Sequence, residues 1–237
     1  MRNAIINRDI TEGLSRGMPI VLGYFPIGFA FGILAASIGL NTLEATLMSI
    51  FVFAGSAQLI SLGLIEGMAG IFAITITTFL VNLRHLLMSA ALAPFLGHLS
   101  RSEQLLFSYE LTDETFAVHS LNFNREETPS RHTIFAVNVS AHLSWVVSTV
   151  LGAWLGGLLA DFEAWGLDYA LPAMFISLLV FQIDQWKKVL IAVLSFGTAI
   201  YFALQLGGHW YIMIAAVTGA TVGTIIEVLF PFRSRSF

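Results

Sequence analysis

The sequence predicts an all-α polytopic membrane protein, with about eight transmembrane segments and interrupted helices near the membrane midplane. Three observations lead there. The 237 residues are 57% hydrophobic and 11% charged, where soluble domains carry about 25% charged residues. Mean hydropathy is +0.81. Long apolar runs follow one another along the chain, and about 20 apolar residues suffice to cross a bilayer as a helix. The net charge of −4 says little, because orientation depends on where Lys and Arg lie rather than on their sum.

Seven segments have the length and character of spans: 17–38, 43–65, 68–96, 133–159, 169–183, 189–206 and 210–230. The N-terminal "MRNAIINRDITEGLSRGMP" is polar for too long to open a cleaved signal, so the first apolar run reads as a retained helix. The eighth candidate, 102–121, has apolar residues at helical spacing but carries Glu110, Asp113 and Glu114 near its centre. Cationic residues favour the cytoplasmic side, and this arbitrates. If 102–121 crosses, Arg2, Arg8, Arg16, Arg125, Arg131, Lys187, Lys188, Arg233 and Arg235 share one side. Arg101 alone then faces the other, and Arg84 lies within the membrane. Seven-span arrangements distribute the cations less well. The expectation is a single membrane domain over 1–237: a cytoplasmic segment 1–16, a first half 17–121, a cytoplasmic loop 122–132, a second half 133–230 and a cytoplasmic tail 231–237. The fourth crossing is expected as a clean span, a broken helix or a re-entrant pair.

A faint echo between the stretches starting at Gly28 and Gly152 suggests two four-helix repeats; transporters are often built from such repeats. Glycines four apart recur at Gly28/Gly32, Gly152/Gly156 and Gly219/Gly223, a spacing that lets helix backbones approach closely. Pro26 and Gly28 in "GYFPIGFAFG", and Gly55 in "FVFAGSAQLIS", mark expected helix breaks.

Polar residues inside the apolar runs are the candidates for function, since burying them in lipid is costly. An intramembrane cation such as Arg84 costs roughly 2.5–3.5 kcal/mol on insertion scales. The set is Ser56, Gln58, Asn82, Arg84, His85, Glu110, Asp113, Glu114, Asn138 and His142. Asn82 and His85 share a helix face, and so do Asn138 and His142. Glu110, Asp113 and Glu114, spaced i, i+3, i+4, form one expected acidic stripe, the natural counterion for Arg84. Cysteine is absent, which removes disulfides and thiolate metal sites. No nucleophile elbow, HExxH, Walker A or G-x-G-x-x-G motif occurs. The reading is a non-enzyme with no catalytic residue, metal or cofactor, and no nucleic-acid partner. Two classes stay open: a secondary transporter, or a structural or regulatory membrane subunit whose polar cluster is a helix clasp.

At "FAGSAQ" (53–58), "NLRHLLMS" (82–89) and "TDETFA" (112–117) the sequence resembles the AzlC family, the large subunit of bacterial branched-chain amino acid exporters. The likeness runs from about residue 9 to residue 230. It implies export of branched-chain amino acids across the bacterial cytoplasmic membrane, chiefly valine, with methionine or azaleucine for some members. It also implies a small, hydrophobic AzlD-type partner subunit.

Overall fold

The computed structural model describes residues 2–123, 129–156, 185–205 and 210–229, with 176, 179, 180 and 183. All regular structure among them is helical: α1 (Arg2–Ser37), α2 (Thr42–Phe51), α3 (Gly55–Glu66), α4 (Ile71–Leu92), α5 (Arg101–Tyr109), α6 (Asp113–Phe123), α7 (Arg131–Gly156), α8 (Trp186–Gln205) and α9 (Trp210–Leu229), with a short 3₁₀ turn over Ala93–Leu96. Among the described residues four stretches are long and apolar enough to span a membrane: Ile6–Ser37, Ile71–Leu96, Arg131–Gly156 and Trp186–Gln205. The chain is thus a polytopic helical membrane protein. The expected span 169–183 lies almost wholly outside the described residues.

The chain forms two compact units, one from Met1–Gly63 with Thr78–Leu171, the other from Leu64–Thr77 with Pro172–Phe237. The first unit is organised by α1 and α7, which run parallel, Gly13 facing Thr133 at one end and Gly156 facing Ala36 at the other. Their glycines are the reason the helices can touch. A Cβ on Gly28 would strike Ser148, one on Gly32 the Thr149 carbonyl, and one on Gly152 the Phe29 carbonyl. The two echoed GxxxG stretches therefore pack against each other. In the second unit α8 and α9 are antiparallel, with Gly219 against Ser195 and Gly223 against Ile191.

α1 departs from expectation twice. It begins at Arg2 rather than near Gly17. Its polar first turns are held against the start of α7, where Thr133 Oγ1 donates to the Asp9 carbonyl at 3.1 Å. It also continues unbroken through Pro19 and Pro26, so the break expected at Pro26 and Gly28 does not occur. Ser144 of α7 donates to the Val21 carbonyl at 2.8 Å, next to the Leu22 carbonyl whose helical donor Pro26 removes. Gly28 serves close packing instead. α1 ends at Gly39, φ 92°, with Leu40 N–H bonded to Ala35 O and Gly39 N–H to Ala36 O, the Schellman pattern. Asn41 and Glu44 then form the capping box that starts α2.

The expected span 43–65 is two helices. α2 stops at Phe51, Phe53 takes φ 38°, and α3 starts at Gly55. A Cβ on Gly55 would lie 2.9 Å from the Trp145 ring, so the new helix can begin there only without a side chain. The segment 102–121 is also broken. Ser100 and Glu103 cap α5, which ends at Tyr109. Thr112 then starts α6: its Oγ1 accepts from Thr115 N–H at 3.3 Å while Thr115 Oγ1 accepts from Thr112 N–H at 2.8 Å. Asp113 and Glu114 occupy α6's first turn, where a helix favours negative charge. Leu92, Leu96, Leu99, Phe107, Leu111, Phe123 and Ile134 form a buried cluster that carries this second break.

The α1–α7 seam makes a direct stability prediction. Gly152→Leu forces a side chain into the Phe29 backbone and should destabilise the fold by upward of about 3 kcal/mol. Gly63→Ala, where nothing lies within 4 Å, should be tolerated. Monodisperse protein recovered in detergent, followed by its thermal melting, reads both; equal behaviour of the two variants would refute the seam.

Candidate functional site

Both helix breaks face α1 and α7, and the polar candidates gather around them in separate groups. Arg84 of α4 binds Asp113 at the start of α6, Nη1 to Oδ2 at 2.6 Å. Its Nη2 donates to Ser56 Oγ at 3.0 Å. Ser56 is the second residue of α3, whose amino end carries partial positive charge. A guanidinium and a helix amino end thus meet at one hydroxyl, an arrangement suited to receiving a carboxylate. The pair is not sealed, since the Arg84 and Asp113 side chains are 31% and 42% exposed.

Glu114 turns elsewhere. Its Oε2 lies 2.5 Å from the hydroxyl of Tyr24 on α1. The same hydroxyl lies 2.7 Å from Thr112 Oγ1. Glu110 turns to a third partner, with Oε1 3.6 Å from His142 Nδ1 on α7. The expected acidic stripe is therefore corrected. Glu110 caps α5 while Asp113 and Glu114 begin a new helix. The break sends the three carboxylates to an arginine, a histidine and a tyrosine.

Gln58 belongs to a buried chain. Trp145 Nε1 donates to its Oε1 at 3.1 Å, its Nε2 donates to Ser49 Oγ at 3.1 Å, and Ser49 lies 2.8 Å from Thr149 Oγ1. Gln58, Ser49 and Thr149 are inaccessible to solvent. Asn138 also has an internal partner: its Oδ1 lies 2.7 Å from Nε2 of His119, which sits between the Phe107 and Phe123 rings. Asn138 and His142, one turn apart, thus serve different groups. Asn82 Oδ1 and His85 Nε2 are buried without a hydrogen-bond partner among the described residues.

Sequence reasoning missed Tyr24, Ser49, Phe53, Thr112, His119 and Trp145. For Thr112 a signal existed: Thr-Asp-Glu-Thr is a helix start, a capping hydroxyl followed by acids in the first turn. Tyr24 and Trp145 look like ordinary apolar-helix residues, and only their neighbours give them roles. Tyr24 meets the Trp145 ring edge-on at 5.4 Å and the Phe53 ring at 6.4 Å, joining α1, α7 and the α2–α3 break.

The Gln58 chain is structural, because each of its members is satisfied internally. Gln58→Leu would remove the acceptor of the Trp145 N–H and one of the two partners of the Ser49 hydroxyl, which keeps Thr149. Interhelical bonds in membranes contribute about 1 kcal/mol each, so the variant should melt several degrees lower in detergent, and Gln58→Glu should recover part of the loss. An unchanged melting temperature for Gln58→Leu would refute the role.

A family profile described as AzlC protein matches residues 19–159. The chain is 27% identical over 226 residues to Inner membrane protein YgaZ of Escherichia coli (strain K12), covering 93% of this chain and 90% of that protein. It is 27% identical over 214 residues to Branched-chain amino acid transport protein AzlC of Bacillus subtilis (strain 168), covering 89% and 82%. An uncharacterized membrane protein of Archaeoglobus fulgidus is 34% identical over 175 residues, covering 71% of this chain and 74% of that one. No solved structure matches the chain. The matched region contains α2 to α7 and with them both helix breaks, Arg84, Glu110, Asp113 and Glu114; the chain belongs to the AzlC family.

Proposed function

We infer that this membrane protein is the translocating subunit of a secondary exporter for branched-chain amino acids, driven by protons and working with a small AzlD-type membrane partner. The observation that carries this reading is the half-exposed Arg84–Asp113 pair at the starts of α3 and α6, the second helices of two broken pairs. Interrupted helices are where secondary transporters bind charged substrates. A zwitterionic amino acid exchanges ions with the pair: its carboxylate takes Arg84 and the Ser56 end of α3, and its ammonium takes Asp113 or Glu114. The transport named for the Bacillus subtilis relative agrees with this chemistry.

The parallel seam of α1 and α7 supports the topology. Two membrane-spanning helices that point the same way are separated by an odd number of crossings. α2–α3, α4 and α5–α6 supply three if the broken α5–α6 pair crosses, and two if it does not. With that crossing, Arg2, Arg8, Arg16 and Arg131 lie on one side, which the positive-inside tendency makes the cytoplasm. The N-terminus is then cytoplasmic in the bacterial inner membrane, and a total of eight crossings brings the C-terminus to the same side.

The clasp reading applies to pairs with no substrate-accessible member, such as His119–Asn138. For Arg84 and Asp113 the two readings separate by mutation. In a transporter, Arg84→Ala and Asp113→Asn each lower valine efflux at least tenfold while membrane levels persist, and the double variant stays inactive. In a clasp, each single variant loses folded protein and the double variant recovers it, because an unpaired buried charge costs more than the absence of both. Cells fed valine-, leucine- or methionine-containing dipeptides should accumulate the free amino acid when the chain is deleted; equal pools for all three would sink the exporter reading.

A further inference from the structure

We propose that Glu110 and His142 form the proton-carrying site of the transport cycle, separate from the Arg84–Asp113 substrate pair. The proposal rests on the exporter reading above and assigns its driving ion to two residues.

The geometry asks for a proton. Both ring nitrogens of His142 face acceptors: Nδ1 faces Glu110 Oε1 at 3.6 Å and Nε2 faces the Ser49 carbonyl at 3.3 Å. A neutral imidazole has one N–H. If it donates to the Ser49 carbonyl, its remaining lone pair points at a carboxylate; if it donates to Glu110, the lone pair points at a carbonyl. One added proton resolves either mismatch, as imidazolium against carboxylate or as neutral imidazole accepting from a carboxylic acid. These two forms are one protonation state of the pair.

The surroundings suit a single mobile proton. The Glu110 side chain is 9% exposed, and its Oε2 has no hydrogen-bond partner among the described residues. Among the described residues no arginine lies within ion-pair distance of it. The Phe53 ring stacks on His142 at 4.0 Å and 19°, so a protonated ring gains a cation–π contact. Tyr109, at the end of α5, meets His142 edge-on at 6.0 Å and bonds the Ile50 carbonyl. Among the described residues Glu110 and Tyr109 are the titratable groups recorded against His142, both from the α5–α6 join. α2 presents a carbonyl and the α2–α3 break an aromatic face. Tyr24 of α1 touches Phe53 but turns its hydroxyl to Thr112 and Glu114.

The same contacts provide the link to substrate. Phe53 holds φ 38°, a left-handed conformation that is costly for a bulky residue. Three residues on, Ser56 holds Arg84. Charging and discharging His142 changes the attraction on the Phe53 ring, and hence on the segment that positions Ser56. Glu110 is likewise three residues from Asp113. The balance is simple. One proton from the external water forms an N–H or O–H bond within the pair, and that bond breaks to cytoplasmic water after the site reorients. One positive charge moves inward for each neutral zwitterion moved outward.

The test uses everted inner-membrane vesicles of the native host lacking its chromosomal copy, with labelled valine as probe. For the wild type, an imposed pH gradient should drive valine accumulation and an uncoupler should abolish it. Glu110→Gln should lose gradient-driven accumulation more than tenfold while keeping valine–valine exchange, because the substrate pair is intact. Gradient-driven accumulation retained by Glu110→Gln would overturn the assignment and leave the exporter reading standing. Loss of exchange at normal membrane level would overturn it too, since Glu110 would then belong to the substrate path. Wild-type transport indifferent to the gradient would instead defeat proton coupling itself. A second measurement needs no variant. Dicyclohexylcarbodiimide reacts with protonated carboxyls in apolar sites, so wild-type membranes should be modified at Glu110, faster as pH falls. Modification of Asp113 with Glu110 untouched at every pH would overturn the proposal.

Discussion

Between Gly13 and Ala36 on one helix, and Thr133 and Gly156 on another, two backbones lie in contact over nearly the full length of a membrane span. Lipid chains are as apolar as leucine, so helices in a bilayer gain little from hiding apolar side chains from one another. Close van der Waals packing and interhelical hydrogen bonds must hold them instead. The α1–α7 seam has both, since glycines admit the backbones and Ser144 and Thr133 bond across to carbonyls of α1. Several of the polar contacts in the first unit hang on this pair. Tyr24 and Trp145 project from it to the α2–α3 break, Tyr24 also to α6, and His142 to Glu110.

Two interrupted helices follow from that frame, and each interruption has a local cause and a distant one. Locally, Gly55 and the Thr112–Thr115 cap are helix starts. At a distance, the Trp145 ring denies Gly55 a side chain, and the Leu92, Leu111 and Ile134 cluster seats the second break. Freed backbone groups at such depth are tolerated only inside protein or along a polar cavity. The same breaks bring helix amino ends toward Arg84 and its carboxylate, so the cost of interrupting the helices and the charge chemistry have one structural origin.

The fate of the polar residues illustrates what spacing can and cannot say. Asn138 and His142 are one helical turn apart, and that much is certain from sequence. Yet they serve His119 in one case and Glu110 in the other, because α6 and the α5–α6 join cross α7 at different levels. Glu110, Asp113 and Glu114 look like one stripe only if the helix is continuous. A single break converts a stripe into three separate partnerships. Pro26 misleads in the opposite direction: proline removes one bond locally, yet α1 runs on through it as one helix, with Ser144 of the neighbouring helix bonded to the Val21 carbonyl nearby.

By itself the sequence determines that this is a helical membrane protein, where most apolar helices begin and end, that glycine seams hold helix pairs, and that Arg84 needs an acidic partner. These are sums over neighbouring residues, or periodicities along one helix, and local information suffices for them. The tertiary structure alone decides that Asp113 is that partner, that Glu110 faces His142 across 32 positions and Tyr24 faces Glu114 across 90, and that Tyr24, Phe53 and Trp145 join the two breaks to the central seam. Each of these depends on which faces of distant helices meet, and in this chain that is set by how closely the α1 and α7 backbones approach.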